Sequence, residues 1–136
     1  MITPEDFNQR SLDHLPGLIG MEVITVEQGR LVCRLPIRQQ LLAPNGFLHA
    51  ATVVALADTA CGYGTVAHLP DGAQGFTTIE LKSNFMGTAR EGVIECEARP
   101  AHRGRSTQVW DATVVNPATG QTIALFRCTQ IVLWPR

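Results

Sequence analysis

Two side chains in this 136-residue sequence stand where packing alone does not account for them. Asp58 interrupts His49–Ala60, a run with the composition of a helix apolar on nearly every face. A helix without a polar face is buried, because exposing it would leave a large apolar area in water. An unpartnered buried carboxylate is costly, so Asp58 either has a dedicated partner, such as the Thr59 hydroxyl, or does chemistry. Flanking Ala55, Leu56, Ala57 and Ala60 should desolvate it, raise its pKa and strengthen it as a base. His49 stands where the helix starts. There the backbone N–H groups of Ala50 and its neighbours lack intrahelical acceptors and carry the positive dipole end. A carbonyl oxygen placed there would be polarised as its charge develops. For His49 the alternative is a capping residue without chemistry.

Helix geometry separates the two. At about 100° and 1.5 Å per residue, Asp58 lies on the face opposite His49, about 13–14 Å along the axis. One helix cannot easily present both to the same carbonyl. Two helices related by a dimer axis can, so the expected site is shared between subunits.

The elements that must position these residues follow in order. Residues 2–20 read as a short helical lead-in, with Thr3 as cap, Pro4 in the first turn and Asp6 three residues after the cap. Leu12, Leu15 and Leu18 offer it one apolar side, and Pro16-Gly17 and Gly20 end it. Met21–Glu27 and Arg30–Pro36 make a hairpin around Gln28-Gly29. A Pro44-Asn45-Gly46 turn leads into the apolar helix, which Leu69-Pro-Asp-Gly72 closes. Four sequential antiparallel strands follow, over 75–86, 92–100, 107–115 and 122–134. In the first, Thr78, Glu80, Lys82 and Asn84 share one side, and Thr77, Ile79, Leu81 and Phe85 the other. One apolar helix needs a sheet of about six strands to wrap it.

Composition narrows the function classes. A net charge of -1 provides no basic footprint for nucleic acid. Asp58, Thr59 and two glycines make Ala50–Ala67 a poor membrane span, and the acidic residues of Met1–Gly20 do not suit a signal peptide. Cys33, Cys61, Cys96 and Cys128 form no C-x-x-C pair, which suits small buried thiols in a reducing cytoplasm. His14, His68 and His102 lack metal-ligand spacing. No P-loop, G-x-G-x-x-G or G-x-S-x-G occurs, which removes nucleotide-fold and serine-hydrolase readings.

The order of elements resembles the α+β hotdog fold, a curved antiparallel sheet wrapped round one long central helix. Gly46-Phe-Leu-His49-Ala50-Ala51 and Ala57-Asp58-Thr59 resemble the motif of PaaI-like acyl-CoA thioesterases. In those enzymes N/Q-x-x-G-x-x-H-G-G leads into the helix and an acidic residue follows the His by nine. Thr78–Gly92 is similar to their central strand and the turn after it. The resemblance covers roughly residues 15–134, with the whole of 1–136 read as one domain. Two positions depart from it. Ala50 replaces the glycine after the His, where a backbone N–H still serves, and Ala43 replaces the amide side chain, so that either Asn45 substitutes for it or the substrate is positioned differently.

The resemblance implies hydrolysis of acyl-CoA thioesters, with aryl or medium acyl groups as substrates. It makes Asp58 the general base or nucleophile, the Ala50 N–H the carbonyl donor, and Asn45 and Thr59 substrate-binding residues. Gly46 supports the helix start, His49 supports that turn or the sulfur side of the thioester, and Thr78 orients the attacking water unless it is an ordinary strand threonine. Arg103, Gly104 and Arg105, otherwise a solvated basic turn, would hold the CoA phosphates, with Arg90 a weaker candidate. No cofactor is implied beyond CoA as part of the substrate, and no metal, nucleic acid or membrane partner. Self-association as a homodimer through the central strand is implied, with tetramers formed from two dimers. Two alternatives remain: a hotdog hydratase or dehydratase acting on a β-hydroxyacyl thioester, and a non-catalytic dimer that binds acyl-CoA.

Overall fold

The computed structural model describes residues 1–136. Helix α1 (Pro4–Ser11) starts as expected, with Thr3 and Asp6 in a reciprocal capping box. The end of the lead-in differs. Pro16 and Gly17 do not stop the chain but lie inside a second short helix, α2 (Leu15–Ile19). Proline fits a first turn, and a Cβ at Gly17 would collide with the Ser11 carbonyl, so glycine lets α2 cross close to α1. The break between the helices also dissolves the expected leucine side. Leu12, Leu15 and Leu18 all stand at the surface, and the lead-in buries Phe7, Ser11 and Ile19 instead.

Strands β1 (Glu22–Glu27) and β2 (Arg30–Pro36) form the hairpin, followed by the central helix α3 (Ala50–Ala67). Then come β3 (Gly75–Phe85), β4 (Val93–Arg103), β5 (Thr107–Asn116) and β6 (Gln121–Leu133). All pairings are antiparallel, in the order β1-β2-β4-β5-β6-β3. Of the last four strands, β4, β5 and β6 are antiparallel neighbours in sequence order as expected, whereas β3 does not pair with β4. Helix α3 packs against every strand and carries the chain across the sheet, so β3 lands at the far edge beside β6, and β4 returns to β2. This is the hotdog arrangement.

A second difference lies within β3. Thr78 pairs with Gln130 but Glu80 pairs with Thr129, which leaves Ile79 in a bulge. The bulge resets the alternation. Leu81, Ser83 and Phe85 pair with Cys128, Phe126 and Ala124 of β6, whose side chains are buried, so they share the inner face with Thr78. The division of sides expected from simple alternation fails at that one residue.

Alternate residues of the strands fill the core beneath α3, among them Ile94, Cys96 and Ala98 of β4 and Trp110, Ala112 and Val114 of β5. By length and composition alone α3 would suffice to cross a membrane; here half of it is buried within the fold. All four cysteines are free and buried. Burial pushes the Cys96 thiol up to about 12 and the Cys33 thiol up as well, so neither is a nucleophile near neutral pH.

Helix α3 sits close to the sheet because its contact face is small. A Cβ on Gly64 would lie 2.5 Å from the Trp110 ring, and one on Gly62 would lie 3.2 Å from the ring of Phe76. Trp110 is fully buried and anchored: its Nε1–H donates to Gln108 Oε1 at 2.7 Å, and Gln108 Nε2 donates to the His68 carbonyl at 2.9 Å. The helix end and the indole are thus tied to one glutamine. Gly64→Ala should therefore destabilise the fold by about 1–2 kcal/mol, overpacking outweighing the helix-propensity gain. Gly62→Ala, which meets only the tip of a partly exposed phenylalanine, should cost less. Denaturant unfolding of both variants checks the ranking.

Candidate active site

The start of α3 is built by a tight loop. Gly46 N–H donates to the Ala43 carbonyl at 2.8 Å, and Ala43 N–H donates to the Phe47 carbonyl at 2.7 Å. Gly46 has φ of 88°, a conformation that favours glycine. Asn45 Oδ1 accepts from the Phe47 N–H at 3.1 Å, so its carbonyl holds the turn while its NH2 stays uncommitted. The segment after β3 braces the loop from outside. The Thr88 hydroxyl accepts from the Leu48 N–H, and the Arg90 guanidinium lies 4.2 Å from the Phe47 ring centre.

His49 is the N-cap. Its Nδ1 accepts from the Ala51 N–H at 2.9 Å, and its carbonyl accepts from the N–H groups of Thr52 and Val53. The expected group of free donors, Ala50 and its neighbours, therefore reduces to one: only the Ala50 N–H has no acceptor in the chain, and Ala50 is exposed. Capping also sets the tautomer of His49. With Nδ1 accepting, the neutral ring carries its proton on Nε2, a second donor at the helix start.

Asp58 lies two and a half turns further on, half-buried in a groove of about 270 Å³ between α3 and β3. Thr59, Tyr63, Phe76 and Thr78 line the same groove. No cation pairs with Asp58, Thr59 makes no hydrogen bond to it, and its buried Oδ1 has no partner. The dedicated-partner alternative thus has no group to supply it. Burial holds the Asp58 carboxyl above its ordinary value of 3.8, the direction expected for a stronger base. Thr78 reaches the groove just before the bulge, and its hydroxyl donates to Gln130 Oε1 at 2.6 Å.

The structure thus brings Asp58, Thr59 and Thr78 together, and places Asn45, Gly46, His49 and Ala50 at the other end of the helix. Neither His49 nor Ala50 lines the Asp58 groove. The basic turn is split as well. Arg103 and Gly104 line a separate groove of about 360 Å³ with His68 and Asp71, whereas Arg105 lies 4.4 Å from the Trp134 ring centre. Gln130 was not anticipated. The signal was present, since Gln130 shares its parity along β6 with Ala124, Phe126, Cys128 and Val132, an amide in an otherwise apolar file.

The site and fold define a class. Residues 45–123 match the model of the Thioesterase superfamily, and the chain belongs to that family. A 1,4-dihydroxy-2-naphthoyl-CoA hydrolase of Listeria monocytogenes is 30% identical over 115 residues, covering 85% of this chain and 92% of that protein. Among solved structures, a thioesterase from Haemophilus influenzae superposes with a TM-score of 0.91 at 23% identity, covering 98% of this chain and 92% of its own. A thioesterase from Staphylococcus aureus, solved separately with alanine replacing a glutamine and a glutamate, gives 0.82 at 29% identity for the glutamine variant, covering 87% and 97%.

The raised pKa of Asp58 makes a stability prediction. A group whose folded pKa exceeds its unfolded value contributes stability that is complete below the unfolded pKa and is lost as pH rises through the folded one. At neutral pH the charged, partnerless carboxylate therefore weakens the fold. Asp58→Asn should melt a few degrees above wild type at pH 7, and the gap should close below pH 3.8. Thermal melts of both proteins across this range measure it.

Proposed function

We propose that this chain hydrolyses acyl-CoA thioesters to the free acid and CoA, in the manner of the PaaI-like enzymes its motif resembles. The observation that carries the reading is Asp58, whose buried Oδ1 has no partner, lining a groove that Thr78 lines as well. A carboxylate so placed takes a proton from water, and the water oxygen attacks the thioester carbonyl. The Ala50 N–H receives the charge that develops on the carbonyl oxygen, with His49 Nε2–H beside it. Collapse of the tetrahedral adduct breaks the C–S bond, and the CoA sulfur takes back the proton held by Asp58. Attack by the carboxylate itself is the other route open to the same residue.

The spacing in a relative supports Asp58 in this role. The glutamine and glutamate replaced in the S. aureus thioesterase lie fifteen residues apart, the separation of Ala43 and Asp58. At the first of these positions this chain carries alanine, so its site lacks the amide there. Asn45, with its NH2 uncommitted, is the nearest group able to serve in its place. The hydrolase relative acts on an aryl thioester by its name, which favours aryl-CoA as the first substrates to assay.

The separation of Asp58 from Ala50 within one chain supports a site shared across a homodimer. Edge strand β3 exposes the apolar side chains of Ile79, Leu81 and Phe85 among polar neighbours and has an unpaired backbone edge. Two such edges paired about a two-fold axis would continue the sheet and set Asp58 of one protomer facing the helix start of its partner. Arg103 and Gly104 on the neighbouring groove, with Arg90, are the groups offered to the CoA phosphates. A pair of such dimers would give a tetramer.

Two substitutions test the chemistry, read as release of CoA thiol. Asp58→Asn should lower kcat by about 10²–10⁴-fold. Ala50→Pro removes only the free N–H at a position where proline suits a helix, so the fold should persist while kcat falls by about 10²-fold or more. Full turnover by a folded Asp58→Asn would exclude the mechanism. No wild-type turnover of any thioester, with tight CoA binding, would instead identify a binding protein. Mixing the two inactive variants under conditions of subunit exchange should restore about one quarter of wild-type activity if the site is shared.

A further inference from the structure

Thr78, Gln130 and Gln108 form one cross-strand row on the inner face of β3, β6 and β5. Both glutamines are fully buried, yet they are used differently. Gln108 spends both ends of its amide, accepting from Trp110 and donating to the His68 carbonyl, and so ties the core to the helix end. Gln130 spends only its oxygen, on the Thr78 hydroxyl, while its Nε2 is buried with no acceptor. A residue kept for packing would not leave a donor buried and unpaired, since an apolar side chain of the same length would fill the space without that penalty.

We infer that Gln130 is a positioning residue for the proposed hydrolysis, acting through Thr78 to orient the attacking water. The inference rests on the general-base route proposed for Asp58. A hydroxyl has one proton and two lone pairs. Because Gln130 Oε1 takes the Thr78 proton at 2.6 Å, the Thr78 oxygen turns only lone pairs toward the groove. A water between Asp58 and Thr78 then donates one hydrogen to each, which leaves both of its lone pairs free to face a carbonyl carbon. Without Gln130 the hydroxyl can turn and donate to the same water or to Asp58, which removes the acceptor that orients the water and occupies one of its lone pairs, or weakens the base. The bulge at Ile79 fits this role, because it frees the backbone beyond Thr78 while Thr78 itself stays opposite Gln130.

The test is a cycle of Gln130→Met, Thr78→Val and the double variant, each assayed for kcat, KM and melting temperature beside Asp58→Asn. Gln130→Leu replaces the methionine variant should that one not fold. The expected result is a kcat lowered about 10-fold by Gln130→Met, the scale of one neutral hydrogen bond, with KM little changed. Its melting temperature should match or exceed that of wild type, since the unpaired donor is gone. In the Thr78→Val background Gln130→Met should cost nothing further. A folded Gln130→Met with wild-type kcat, or losses that multiply in the double variant, overturns the positioning role even where Asp58→Asn is inactive. An active Asp58→Asn would instead bring down the general-base reading from which the role follows.

Discussion

The close seating of α3 on the inner face of the sheet is the constraint on which the other features depend. A helix with no polar face has to be covered, and here one sheet curves round it to do so. The approach is set by Gly62 and Gly64, which admit the rings of Phe76 and Trp110 to the helix backbone. Trp110 cannot retreat, because it is buried and held through Gln108 to the carbonyl of His68 at the helix end. His68 is itself fixed on two sides: its Nε2 accepts from the Gly29 N–H, and its Nδ1 meets the Gly64 carbonyl. The hairpin turn, the helix end and the core indole thus share one set of hydrogen bonds, and the height of α3 above β3 follows from it. That height leaves the groove in which Asp58 sits.

Charge in this protein is otherwise handled conventionally. Arg34 meets Glu95 and Arg127 meets Asp111 across strand pairs, while Glu97 bridges Arg30 and Arg99. These pairs are solvent-accessible and contribute little to stability singly. Asp58 is the exception, drawn into the helix–sheet groove with no cation to offset its desolvation. Stability is therefore lower at neutral pH than the fold could reach with a neutral residue at that position. In the hydrolysis proposed for this chain, the same desolvation that weakens the fold would strengthen the base.

How much of this could be read from the chain depends on the range of the interactions involved. The capping box at Thr3, the hairpin at Gln28-Gly29, the extent of the apolar helix and the oddity of Asp58 all follow from residues a few positions apart. The fold class followed from the order of elements and from a spaced motif. Strand order did not, because β3 reaches the far edge only through the course that α3 takes over the sheet, a property of the assembled fold. The bulge at Ile79 leaves no mark in a strand whose residues alternate plausibly without it. The leucines at 12, 15 and 18 look like a helical stripe until the break before α2 is known. At the site, the sequence pointed to several free N–H groups, and the geometry of one cap decided which of them remained.

That cap has a consequence for how the helix start can work. His49 closes the first turn with its ring nitrogen and its carbonyl together, so the donors of Ala51, Thr52 and Val53 are all committed. A helix whose opening donors were all free would attract any anion loosely over its whole end. Here one N–H points outward, next to a ring whose remaining proton is placed by the same cap, and the loop beneath them is held by Gly46, Asn45 and the Thr88 brace. Donors held in advance need no reorganisation as charge develops, and that is the source of their effect on a reaction barrier. The helix therefore separates its two contributions by nearly its own half-length, a fixed donor at its start and a destabilised carboxylate at its middle. A single rigid element cannot bring them together, and it is this separation that the proposed pairing of two chains along the β3 edge would overcome.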